Sequence, residues 1–161
     1  MPRKYKSLSY LLKPDPKYND KLVSRLTNSI MHEGKKSTAQ RALYKAMDLM
    51  GKKIADVGPL EVLNKAIDNV KPIMEVKSKR IGGATYQVPT QVPTGRQVSL
   101  AIRWILESVR KKKGKPLHIR LSDELLAAYK GEGDAMLTRL NVHKMAEANK
   151  AFAHFGFRRD R

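Results

Sequence analysis

The chain has 161 residues, among them 33 Lys plus Arg against 15 Asp plus Glu, so its net charge is +18, and it has no cysteine. Disulfides and cysteine-ligated zinc are thereby excluded, and a polyanion is the expected partner. A hydrophobic fraction of 41%, set in periodic runs, argues against wholesale disorder. At this size a single domain buries about two-thirds of its unfolded surface.

No run of ~20 apolar residues suggests a membrane span, and residues 1–17 lack the apolar stretch of a secretory signal. The chain therefore reads as soluble and unexported, with no membrane partner. Residues 1–18 carry Arg3, Lys4, Lys6, Lys13 and Lys17 against Asp15, and Pro14 and Pro16 discourage a helix, so they read as a basic N-terminal arm. Asn19 or Asp20 offers the cap of a first helix with Leu22, Val23, Leu26 and Ile30 on one face and Gly34 as its stop. Ser37 offers the cap of a second, carrying Ala39, Ala42, Leu43, Ala46, Leu49 and Met50 on one side. A third begins at Gly58-Pro59, where proline suits the first turn, and ends before Pro72.

The period then changes from helical to alternating. Over about residues 73–92, Glu75 to Ile81 and Ala84 to Val88 flank Gly82-Gly83, the pattern of two antiparallel strands joined by a tight turn. Pro89 and Pro93 imply edge strands, hence a lone ribbon. Thr94 can cap a long helix ending near Gly114, whose broad apolar face, Leu100 and Trp104 included, suggests the central helix. Two more helices are expected at about 116–130 and 134–150, with residues 151–161 an aromatic and basic tail. The expected fold is mainly α: six helices in one domain over 19–150, with a protruding two-stranded hairpin and the basic arm.

Beyond the arm, basic residues cluster at Lys35-Lys36, at Lys77, Lys79 and Arg80 in the ribbon, and at Arg110, Lys111, Lys112, Lys113 and Lys115. Arg96, at the start of the long helix, joins them as a candidate RNA contact. Each cluster also has the ordinary reading of a solvated face. The ribbon is the most informative, because two bare strands are marginal in water and adjacent like charges on them are unfavourable without an anion nearby. Its Gly82-Gly83 tip lets an RNA backbone approach closely. Tyr86 is open to two readings, stacking on a base or packing at the ribbon root. Segments rich in Asp56, Glu61 and Asp68, or in Asp123, Glu124, Glu132 and Asp134, are poor candidates for phosphate contact and read as a solvent face ahead of the alternative, a dedicated protein-binding face.

Catalysis has no visible address. His32, His118, His143 and His154 fall on different elements, and the His143–Glu147 helical spacing is common by chance. Gly82-Gly83 precedes a strand and not a helix, unlike a nucleotide-cradling loop, and no carboxylate cluster is set to hold Mg²⁺. Neither metal nor cofactor is expected.

Three strings carry a family resemblance: Asp20-Lys21-Leu22 through Gly34-Lys35-Lys36-Ser37-Thr38; Val76-Lys77-Ser78-Lys79-Arg80-Ile81-Gly82-Gly83-Ala84-Thr85-Tyr86-Gln87-Val88-Pro89; and Val142-His143-Lys144-Met145-Ala146-Glu147-Ala148-Asn149-Lys150-Ala151-Phe152-Ala153-His154-Phe155. They resemble, in order and over nearly the whole chain, ribosomal protein seven of the small subunit, of the bacterial type. The resemblance implies a helical domain with a β-hairpin arm and no enzymatic activity. It implies a cytoplasmic protein of the ribosome, monomeric when free, that binds the 3′ major domain of small-subunit rRNA and nucleates head assembly. It further implies a place at the subunit interface near the exit-site tRNA and the mRNA path, with small-subunit proteins nine and eleven as partners. Lys35, Lys36, Lys77, Lys79 and Arg80 then match positions near rRNA, and Ile81, Gly82, Gly83, Ala84, Thr85 and Tyr86 match the tip near tRNA and mRNA. The chain departs from longer members at its short end, residues 156–161. Two rivals stand beside this reading: an architectural DNA-bending protein, whose usual apolar wedge is here replaced by Gly82-Gly83, and an RNA-processing enzyme, which lacks the carboxylates.

Overall fold

The computed structural model describes residues 11–54 and 56–156. Six α-helices and one hairpin follow in chain order: α1 (Lys21–Ile30), α2 (Lys36–Lys53), α3 (Pro59–Val70), β1 (Met74–Ile81), β2 (Ala84–Gln91), α4 (Thr94–Lys111), α5 (Leu117–Lys130) and α6 (Asp134–Ala148). A 3₁₀ helix, Lys150–Gly156, closes the described chain. This is the mainly helical single domain with a two-stranded hairpin that the patterning implied. Arg3, Lys4 and Lys6 of the arm lie outside the described residues.

Local signals explain most boundaries. The Asp20 carboxylate accepts from the Leu22 and Val23 N–H groups and so caps α1. Pro59 occupies the first turn of α3, where a missing N–H costs nothing. α1 ends at Ile30, short of Gly34, and a turn with Glu33 and Gly34 at positive φ leads into α2. α2 starts at Lys36 with no side-chain cap, so Ser37 is already inside it.

The core is one cluster fed by all six helices, with Leu26, Leu43, Met47, Met50, Leu63, Ile67, Ile105, Leu121 and Leu125 wholly buried. The expected central helix, α4, shares that position with α5. α4 packs on α1, α3, α5 and α6, while α5 packs on α2, α3, α4 and α6. α5 does not advertise this role, because its buried face includes Ser122 and Glu124 among the leucines.

Glu124 is fully buried, and its two oxygens join three helices. Oε2 lies 2.5 Å from Lys112 Nζ at the end of α4, and Oε1 accepts from the Ala135 N–H, at 3.0 Å, in the first turn of α6. Gly133, at φ +96°, lets the chain pass there: a Cβ would stand 3.1 Å from the Ala127 Cβ and 3.2 Å from Glu124 Oε1. Lys112 also lies 3.6 Å from Asp134, and its pKa is raised because the hydrogen bond to Glu124 outweighs its burial. The Arg120 guanidinium donates to the Val109 carbonyl at 2.9 Å and to that of Lys112, satisfying the last turn of α4.

The Glu124→Ala substitution is expected to lower the stability of the full chain by about 1–3 kcal/mol, since it removes a helix cap and a buried charged hydrogen bond. Urea unfolding reads the loss. Glu124→Gln, which keeps an acceptor for the Ala135 N–H, should lose less, and an unchanged Glu124→Ala midpoint would show that the junction is held by packing alone.

Candidate nucleic-acid interface

The hairpin turn is set by its two glycines. Ile81 pairs with Ala84, leaving a two-residue loop in which Gly82 and Gly83 both take positive φ, +55° and +88°, as a type I′ turn demands. Residues directly opposite share a face. Lys77 faces Val88 and Lys79 faces Tyr86 on one side, and Arg80 faces Thr85 on the other.

That alternation separates the hairpin cations. Lys77 Nζ lies 3.1 Å from Glu75 Oε1, and the other oxygen of Glu75 accepts from Arg96 Nε at 2.8 Å. Burial pushes the Glu75 carboxyl upward, but the Arg96 hydrogen bond and the Lys77 ammonium beside it outweigh burial and hold its pKa below the ordinary glutamate value. Lys79 donates to the Phe155 carbonyl at 2.9 Å. Arg80 is exposed, with no charge partner among the described residues. Tyr86 packs against both Phe152 and Phe155, at ring-centroid distances of 5.3 and 5.2 Å. Of its two readings, packing is the one this geometry realises. Gly82, Gly83, Ala84 and Thr85 remain exposed at the tip, with Ile81 half-buried.

A second basic feature lies between α1 and α4, an open groove of about 380 Å³ lined by Arg25, Arg103 and Arg110 with Ser29, Ser99 and Glu107. Arg25 donates to Ser99 Oγ at 2.5 Å and to the Gly95 carbonyl at 3.2 Å. Arg110 donates to the Ser29 carbonyl at 3.3 Å, which brings the basic end of α4 to the end of α1, where the Lys35–Lys36 junction departs. Neither guanidinium is neutralised by a carboxylate among the described residues. Sequence reasoning named Arg110 and missed Arg25 and Arg103. The available signal was the spacing of Arg103, Glu107 and Arg110, which places them on one face of a helix.

The Arg110–Lys115 run divides likewise. Lys112 is committed to Glu124, Lys115 lies 3.9 Å from Asp123, and Lys111 and Lys113 are exposed without a charge partner among the described residues. Lys35 meets Glu33 at 2.9 Å in an exposed pair, which contributes little, and Lys36 has no such partner among the described residues. Asp123 and Glu132 line a different depression, between α2 and α5, with Lys53 and Lys130. The described residues hold no cluster of three or more His, Asp or Glu side chains able to bind a metal, and His143 Nε2 accepts from the Ile73 N–H at 3.1 Å.

Residues 2–150 match the family model of ribosomal protein S7p/S5e. The chain belongs to this family. It is similar to the small ribosomal subunit protein uS7 of Pseudothermotoga lettingae, 53% identical over 141 residues, 88% of this chain and 90% of the relative. It is 54% identical to that of Rhodopirellula baltica over 144 residues, 89% of this chain and 92% of the relative. Against that of Geotalea daltonii it is 47% identical over 155 residues, 96% and 99% of the two chains. Membership makes the protein a structural constituent of the small ribosomal subunit and not an enzyme, which sets aside the DNA-bending and RNA-processing readings. As a ribosomal protein it works in the cytoplasm.

Because a protein of the small ribosomal subunit associates with rRNA, the division of the α4 terminus has a direct consequence. Lys111→Ala with Lys113→Ala should reduce the salt slope of binding to a folded small-subunit rRNA fragment by about two and leave the melting temperature nearly unchanged. Lys112→Ala should do the reverse, lowering stability by about 1–3 kcal/mol, because it strips the buried Glu124 carboxylate of its cation, and sparing the slope. Filter binding across a salt series, with thermal melts of the same proteins, checks both. Equal effects from all three lysines would mean that the Glu124 pair does not hold Lys112 inside.

Proposed function

We propose that the protein is a primary binder of the 3′ major domain of small-subunit rRNA, that it nucleates assembly of the head, and that its hairpin tip faces the exit-site tRNA and the mRNA path at the subunit interface. The reading includes small-subunit proteins nine and eleven as neighbours, on the strength of the family resemblance. The observation that carries the rRNA contact is the distribution of cations left over once internal pairs are counted. Arg103 with Arg25 and Arg110 in the α1–α4 groove, Lys36, Lys111, Lys113 and Arg80 offer positive charge without a neighbouring carboxylate to cancel it, apart from Glu107. Lys112, Lys77 and Arg96 are left out of the primary surface because acids of the fold hold them.

Such an array neutralises phosphates and selects RNA mainly by shape, because guanidinium and ammonium contacts to the backbone carry no sequence information. The tip offers a different contact. Gly82 and Gly83 present no side chain, so a nucleic-acid backbone or base edge can come close to the turn.

Affinity for the isolated rRNA domain should fall by ~10³-fold or more between 50 and 200 mM salt if several phosphates are neutralised. Replacing both Gly82 and Gly83 with Val forces β-branched residues into positive φ, distorting the tip while leaving the cationic groove intact. Small subunits should still incorporate this variant, with altered exit-site tRNA occupancy or frame maintenance, read by sedimentation, tRNA binding and a frameshift reporter. Normal occupancy and frame in fully incorporated subunits would reject the role of the tip.

A further inference from the structure

The Lys150–Gly156 segment does not stop at the end of α6 but turns onto the hairpin and packs against β2. A 3₁₀ helix repeats every three residues, so Phe152 and Phe155 eclipse, and their rings stand 6.3 Å apart at an interplanar angle of 13°. Tyr86 packs against both. Its direct cross-strand partner Lys79 shares that face and donates to the Phe155 carbonyl. Gly156 lies directly on the strand, where a Cβ would come within 3.1 Å of Val88 Cγ1. At the root, the Ile73 N–H donates to His143 of α6. The hairpin is therefore held at two heights, and only the pairs Arg80–Thr85 and Ile81–Ala84 with the turn extend beyond the upper one. A bare two-stranded ribbon is marginally stable in water, so these contacts matter to its direction as well as to its order.

We propose that the Lys150–Gly156 segment is a brace that sets the angle at which the hairpin leaves the helical domain, with Phe152 and Phe155 as positioning residues acting through Tyr86. Its value to RNA contact rests on the function proposed above, whereas the brace itself is a property of the free protein. The full chain with Phe152→Ala and Phe155→Ala tests it by hydrogen exchange. Backbone amides of β1 and β2 should exchange at least ~tenfold faster, with α3 and α5 amides unchanged, because local opening is confined to the unit that loses its contacts. The double Leu variant should restore most of that protection, and Lys79→Met should lose a smaller part, within the hairpin alone. Unchanged hairpin protection, or equal loss of protection in α5, would overturn the brace.

A second readout concerns direction. Since the chain has no cysteine, Ala84→Cys gives a single attachment point for a hydroxyl-radical probe at the tip. In the complex with the rRNA domain, cleavage should be confined to a few nucleotides with the aromatic pair intact and should spread in the Ala variant. Equally confined cleavage in both would overturn the role in direction. Absence of cleavage in both, with the rRNA domain still bound, would show that the tip stands clear of that RNA and would overturn the role in direction, and the exchange result would then decide the brace by itself.

Discussion

A carboxylate sealed from water at the meeting point of three helices constrains much of this molecule. Taking Glu124 out of water is costly unless its oxygens are satisfied, and they are: one by the Lys112 ammonium, the other by an orphan N–H at the start of α6. These partners set where α4 ends and where α6 begins. α6 in turn supplies His143 to the hairpin root and leads into the 3₁₀ segment that carries Phe152 and Phe155. The direction of the hairpin thus traces back, through packed and hydrogen-bonded contacts, to one acid on α5.

The same economy of acids shapes the charged surface. A net charge of +18 repels itself, and a compact state carrying it needs either internal carboxylates or an external polyanion. Glu75 and Glu124 restrain Lys77, Arg96 and Lys112 close to the fold, where they steady the hairpin base and the α4 terminus. Among the cations that no acid restrains are those at the α1–α4 groove, the α4 terminus, the α1–α2 junction and the hairpin tip. Structural cations and cations open to a partner are therefore interleaved in sequence, sometimes as immediate neighbours.

That interleaving marks the limit of what residue patterns convey. The fold was legible where a local rule acts alone: Asp20 capping α1, Pro59 opening α3, and Gly82-Gly83 turning a ribbon whose strands alternate. It was less legible where a distant partner decides. Nothing in the run Arg110 to Lys113 distinguishes Lys112, because Glu124 lies a helix away. Tyr86 had two equal readings until Phe152 and Phe155 came beside it, and their spacing of three, read as part of a tail, is the period of a 3₁₀ helix. Arg103 shares a face of α4 with Arg110, a spacing open to sequence reading, whereas Arg25 joins them only through the approach of α1 to α4.

The unrestrained cations of the α1–α4 groove, the α4 terminus and the α1–α2 junction are the ones proposed to meet rRNA, while those that Glu75 and Glu124 hold are not. Acetylation of lysines in the free protein and in intact small subunits, compared residue by residue by mass spectrometry, tests this division most directly. Lys36, Lys111 and Lys113 should react readily in the free protein and become protected in the subunit, Lys112 should react slowly in both, and Lys65 and Lys130, beside the acidic α3 and α5 residues, should stay reactive throughout. Protection of Lys65 and Lys130 on assembly, with Lys36, Lys111 and Lys113 still reactive, would contradict the account.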